Sequence, residues 1–279
     1  MHYALSLPNG GAEARTLVEF ATLAEEAGWE AVFLEDYIIW QGQAEVPTYD
    51  PWVLLGAMAM VTKRLRLGTM VTPLSRRRPW KVACEAITLD HLSGGRVTLG
   101  VGLGDTDWDS ISFGHFGEIT DPRKRAKRLD EGLDILAGLW SGEPFSYHGE
   151  YFSIEETTLL PRPVQTPRIP IWVGGAYPFK GPIRRAARWD GACPYKHETH
   201  FMTSEDVRAY KASIYENRPS NQPFDICLGG SPRRDDWEEE KAYMHALAEA
   251  GMTWWCEYVP PDVPEYMRKC IERGPLRID

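Results

Sequence analysis

The chain has no run of the roughly 18 apolar residues that a membrane-spanning helix requires, so no spanning segment is expected. It opens directly into the strand-like HYALSLP, without the basic and apolar regions of a signal peptide. Positive charge is not in excess: 31 Lys and Arg against 40 Asp and Glu leave a net charge of −9. That balance excludes general attraction to nucleic acid or anionic membranes, and any anion site must be a local cluster of Arg and Lys. Cysteine is sparse and odd in number, with no CxxC pair. Cys84, Cys193, Cys227, Cys256 and Cys270 read as reduced, mostly buried thiols of a cytoplasmic protein. No Ser/Gly-rich linker or low-complexity block divides the chain, so residues 1–279 read as a single domain.

What is present is a steady alternation of short apolar runs and amphipathic segments. Tyr3 to Leu7 reads as a strand and Ala12 to Ala27 as a helix, with Leu17, Phe20, Ala21 and Ala24 at helical spacing and Gly28 as its stop. The same alternation continues with strands at 31–34, 65–71, 97–101, 169–173, 190–194, 224–228 and 253–258. The helices between and after them read as 51–62, 79–91, 121–140, 182–189, 204–216, 235–250 and 264–273. Eight β/α units predict a (β/α)8 TIM barrel, with a doubly wound open sheet as the runner-up. Residues 142–168 break the pattern with aromatics, prolines and a hairpin around His148-Gly149, and read as an insertion between the fourth helix and the fifth strand.

Chemistry-bearing residues gather where strands end, most densely over residues 66–105. Gly100, Gly102 and Gly104 follow the spacing GxGxG rather than GxGxxG, and no helix opens directly after them, so a dinucleotide fingerprint is a poor match. They read either as a place where a flat ligand approaches the backbone or as a fit to a crowded barrel rim. Asp105, Asp107 and Asp109 alternate like a calcium loop, but the glycine and the closing glutamate of that loop are missing. His197 and His200 form HETH, which is not a zinc motif, and no metal is expected.

Gly174, Gly175 and Ala176 follow the fifth strand, where free backbone amides suit a phosphate. Lys180, Arg184, Arg185 and Arg188 lie beyond them, as an anion patch or a solvated basic face, and Arg76, Arg77 and Arg78 form a second patch. Tyr37 and Trp40 follow the second strand after Glu35 and Asp36, as substrate-facing or packing groups. No GxSxG elbow is present. The chain therefore shows a place for a flat, phosphorylated ligand better than a catalytic set of its own, which favours an enzyme whose cofactor does the chemistry.

YDPWVLLGAMAMVTKRLRLGTMVTPLSRRRPW, LDHLSGGRVTLGVGLGD, LDEGLDILAGLWSGEPF with YHGEYF, and PVQTPRIPIWVGGA followed by RRAARWDG together resemble the bacterial luciferase-like family of flavin- and deazaflavin-dependent oxidoreductases. The resemblance implies a TIM barrel with the cofactor ring at its C-terminal mouth, against Met70, Val71, Gly102 and Gly104. It implies a non-proline cis bond at Met70–Val71, a phosphate turn at Gly174, Gly175 and Ala176, and Asp105 beside the ring's polar edge. Many members carry Asp-His after the second strand, where this chain has Asp36-Tyr37. A phenol at neutral pH donates a proton better than it accepts one. The reading placed first is a monooxygenase using reduced FMN and dioxygen on a small organic substrate, with Tyr37, Trp40 and Asp105 as catalytic candidates. The alternatives are hydride transfer with the deazaflavin coenzyme F420 and a non-catalytic flavin-binding protein. A homodimer is implied, and a separate flavin reductase as a further partner.

Overall fold

A computed structural model describes residues 1–104, 111–218 and 222–278. Eight parallel strands close into a barrel: β1 (His2–Leu7), β2 (Ala31–Leu34), β3 (Arg66–Pro73), β4 (Val97–Gly102), β7 (Ile171–Tyr177), β8 (Gly191–Lys196), β9 (Asp225–Gly229) and β10 (Trp254–Tyr258). Each is followed by a helix: α1 (Ala14–Glu26), α2 (Pro51–Val61), α3 (Pro79–Ser93), α4 (Pro122–Trp140), α5 (Lys180–Ala186), α6 (Ser204–Asn217), α7 (Trp237–Ala250) and α8 (Pro264–Glu272). Between α4 and β7 the chain forms an antiparallel pair, β5 (Phe145–His148) and β6 (Ser153–Thr157). The expected barrel is therefore the observed one.

Local chemistry sets the element ends. Asp50 and Asp121 cap α2 and α4 by accepting from Val53 N and Lys124 N, with Pro51 and Pro122 at the first helical position. Thr203 and Asp206 cap α6 reciprocally. Gly94 closes α3 at φ 68°, a conformation that suits glycine. Among the described residues no helix is long and apolar enough to cross a membrane.

The core has two parts. The larger lies between the barrel wall and the helices, with Leu5, Leu34, Leu55, Leu99, Leu133 and Met244 fully buried. The smaller fills the barrel interior with Ala4, Ala31, Phe33, Trp172, Cys227, Trp254 and Cys256, and Met70 and Cys193 pack against it. Side chains alternate between these two environments along the strands, except where β3 shifts register between Thr69 and Thr72. The N-terminal end of the interior is closed by a satisfied polar layer. Arg66 donates from Nε and Nη2 to Thr98 Oγ1 at 3.2 and 3.0 Å, and Gln165 donates to Val97 O at 2.8 Å.

Element ends differ from the sequence expectation by a few residues, and two of the differences bear on the site. β7 runs on through Gly174, Gly175 and Ala176 to Tyr177, paired with β8 up to Tyr177↔Lys196, where a turn after Val173 was expected. Its pairing with β4 stops at Val101↔Val173, so residues 174–177 form a one-sided strand extension. Helix α5 begins at Lys180, two residues earlier than expected.

Candidate active site at the barrel mouth

The C-terminal end of the interior is shaped first by β3. Its pairing with β4 shifts register between Thr69 and Thr72, and the Met70–Val71 peptide bond is cis, as the family resemblance implies. Thr69 and Thr72 share a 3.0 Å hydrogen bond on the outer side of the wall, where Thr72 also donates to Asp36 Oδ2 at 2.8 Å. The two residues between them turn inward together. Met70 packs on the interior cluster. Val71 lies so close to β4 and β7 that a Cβ on Gly102 would meet its Cγ2 at 2.7 Å and one on Gly174 its Cγ1 at 3.1 Å. Met70 and Val71 are both partly exposed, so they form an apolar floor at the base of the mouth.

This changes the reason for the glycines. Gly102 and Gly174 admit Val71, and Gly175 admits Pro182, whose Cβ would be 2.5 Å from an added Cβ. Gly104 has φ 75° and faces Phe113 and Pro73 at 2.6 and 2.8 Å in the same sense. Each glycine is required by its own protein neighbours, and the ligand-facing surface is the floor they make possible. Ala176 lies in the one-sided extension of β7. Asp105, with Asp107 and Asp109, lies outside the described residues.

The wall opposite the floor carries the ionisable groups. Phe33 points into the barrel, so Glu35 two residues later does as well, and Tyr258 follows Cys256 in the same way. Trp40 donates from Nε1 to Glu35 Oε2 at 2.7 Å. Among the described residues no Arg, Lys or His pairs with that carboxylate. Burial pushes the Glu35 carboxyl up to about 7, the Trp40 bond opposing the rise. The Tyr258 hydroxyl is buried with no hydrogen-bond partner, and burial, with the Glu35 and Tyr37 charges, pushes it far above the ordinary phenol range.

The loop after β2 roofs this corner. Trp40 is 7% exposed, and its backbone N donates to Thr48 Oγ1 at 3.1 Å. Asn9, fully buried, donates to Tyr37 O and Tyr49 O at 2.8 Å each. Ser112 Oγ bridges to both Ile39 N and Ile39 O. Tyr37 is half-buried in this loop. The site thus brings together Tyr37, Trp40, Met70, Val71, Gly102 and Gly174 from the sequence reading, and adds Glu35 and Tyr258, which it did not single out.

The two basic clusters resolve differently from an anion patch. Arg77 donates to Asp36 Oδ1 at 2.6 Å, Arg76 reaches Asp36 O, and Arg78 lies over the Trp80 ring. Arg185 and Arg188 pair with Asp130 and Asp134 of α4 at 2.5 Å, while Arg184 is exposed. Most of these cations are therefore neutralised within the fold. Among the described residues no group of His, Cys, Asp and Glu is placed to hold a metal ion.

A family profile described as luciferase-like monooxygenase matches residues 2–266. An F420-dependent glucose-6-phosphate dehydrogenase of Microbacterium testaceum is 37% identical over 165 residues, covering 58% of this chain. The chain spans about half of that relative's length, 47%. Among solved structures, an F420-dependent secondary alcohol dehydrogenase in complex with an F420-acetone adduct superposes with a TM-score of 0.78 at 18% identity. That match covers 99% of this chain and 98% of the other. The monooxygenase RslO1 from Streptomyces bottropensis superposes with a TM-score of 0.76 at 18% identity, over 97% and 96% of the two chains. Both solved structures speak to the fold alone.

Proposed function

The chain belongs to the luciferase-like monooxygenase family, and from that premise we propose that it is an oxidoreductase exchanging hydride between a deazaflavin of the coenzyme F420 type and a small organic substrate. The observation that carries the reading is the floor: two successive inward side chains, Met70 and Val71, seated over Gly102 and Gly174. A planar ring needs such an apolar platform, and the glycines leave no other side chain to break it. The relative at 37% identity is named as F420-dependent, which supports the deazaflavin over FMN.

Met70 and Val71 would hold the ring's face, and the one-sided edge of β7 at Gly174, Gly175 and Ala176 would meet its phosphate-bearing chain. A bound deazaflavin supplies hydride exchange alone, whereas reduced FMN supplies activation of dioxygen. Trp40 and the loop tied down by Asn9 and Ser112 keep water from the mouth's inner corner.

Monooxygenation with reduced FMN, placed first on sequence, stands as the second reading. Tyr37 in the usual histidine's place favours it, since a phenol donates rather than accepts at neutral pH. That reading carries a separate flavin reductase as partner, and the hydride reading needs none.

The test is a spectroscopic titration of the purified protein with oxidised coenzyme F420 and, separately, with FMN, followed by anaerobic turnover and oxygen-uptake assays. Micromolar F420 binding with anaerobic reduction supports the hydride reading. Tight FMN binding with substrate-dependent oxygen uptake replaces it with the second, and binding of neither removes both.

A homodimer is supported by α2, which is apolar on all sides. Val53 is 74% exposed and lines a surface hollow with Leu92 of α3, and Met60 is 68% exposed. Val53→Lys would halve the mass seen in sedimentation.

A further inference from the structure

Among the described residues, the mouth holds a carboxylate, Glu35, that no cation neutralises. Glu35 faces inward from the end of β2, bonded to the Trp40 indole and to no cation among the described residues. Its chain neighbour Asp36 faces outward and takes Arg76, Arg77 and Thr72. Lys196, at the end of β8, is held by Asp206 at 3.1 Å. Among the described residues, the groups near Glu35 are the phenols Tyr258 and Tyr37, with the thiols Cys193 and Cys256 lower in the interior. The Tyr258 hydroxyl is buried and has no partner. A mouth with a free carboxylate and its nearby cations engaged repels anions. A hydroxyl group suits it, because such a group gives a proton to the carboxylate and accepts one from the phenol.

Resting on the hydride-transfer reading above, we propose that Glu35 is the proton-accepting catalytic residue of this site, and that the substrate is an uncharged alcohol. Tyr258 donates a hydrogen bond to the alcohol oxygen. The alcohol's C–H bond breaks and its electron pair leaves as hydride to the oxidised deazaflavin. Its O–H bond breaks, the proton passes to a Glu35 oxygen, and the electrons of that bond become the second bond of the carbonyl. In the reverse direction protonated Glu35 returns the proton as the carbonyl is reduced. A carboxyl titrating about 7 is suited to both directions at neutral pH. The role that Tyr37 is ill-suited to fill is thereby met from the adjoining strand end.

Glu35→Gln keeps the size of the side chain and an oxygen for the Trp40 bond. Oxidised coenzyme F420 would be titrated into the wild type and the variant by fluorescence, and turnover followed with 2-propanol, cyclohexanol and glucose 6-phosphate as probes. The proposal predicts equal F420 affinity within about twofold and a fall in kcat of about 100-fold or more. It also predicts turnover of the alcohols above the sugar phosphate. Infrared difference spectra of the cofactor-free protein would show a protonated carboxyl band lost with a midpoint near 7 in the wild type and missing from Glu35→Gln. Wild-type protein that fails to bind F420 overturns the function reading itself. Normal F420 binding with undiminished turnover in Glu35→Gln, or preference for glucose 6-phosphate, or a carboxyl band unchanged by the substitution, overturns this proposal alone.

Discussion

Glu35 and Asp36 are consecutive carboxylates at one strand end, and the barrel wall separates their fates. Asp36 turns into the layer between strands and helices, 5% exposed, where Arg77 reaches it at 2.6 Å and Thr72 at 2.8 Å. Glu35 turns into the mouth and has one indole N–H. Glu257 repeats the first pattern on β10: fully buried on the outer side, it takes Arg233 at 2.8 Å and Arg273 at 2.5 Å. Asp36 and Glu257, which serve the scaffold, are matched by guanidinium groups, whereas Glu35, facing the ligand space, has no cation partner among the described residues. Leaving a charge unmatched costs stability, and active sites are where that cost is met by chemistry.

The sharpest way to break the comparison is Asp36→Ala. It strips the carboxylate from two buried or half-buried guanidinium groups and should lower the unfolding free energy by about 3–5 kcal/mol in denaturant titration. Glu35→Gln should leave stability at neutral pH unchanged or higher. A smaller effect is expected at the floor. Gly102→Val would press on Val71, weakening F420 binding by about tenfold or more while overpacking costs about 1–3 kcal/mol, as read by fluorescence and thermal melting. Trp40→Phe removes the indole donor that favours the Glu35 anion. Its titration, seen in the pH profile of kcat, should move upward by about one unit. Smallest of all, Tyr37→Phe should change kcat by less than about threefold, and a larger loss would favour the FMN reading.

The barrel was legible because eight apolar runs alternate with amphipathic segments, and the Met70–Val71 geometry because the surrounding motifs match a known family. The end of β7 was not, since glycines at 174 and 175 read as a turn when judged without the β8 strand that pairs with them. Arg76 and Arg77 looked like an anion patch because Asp36, their partner, lies about forty residues earlier in the chain. Glu35 escaped notice for a different reason. The run Ala31–Leu34 is buried on both faces, so it shows no alternation from which to tell the inward from the outward carboxylate. Only register with β1 and β3, which puts Phe33 inside, makes that assignment.

The most direct measurement is the pH dependence of unfolding free energy for the wild type and Glu35→Gln, without cofactor or substrate. A carboxyl raised to about 7 in the folded state binds protons there more tightly than in the unfolded chain. Its contribution is present below the ordinary glutamate value and is lost as pH rises towards 7. Between about pH 5.5 and pH 8 the wild type should therefore lose about 2 kcal/mol relative to Glu35→Gln. Parallel curves for the two proteins would contradict an unmatched carboxylate at the mouth.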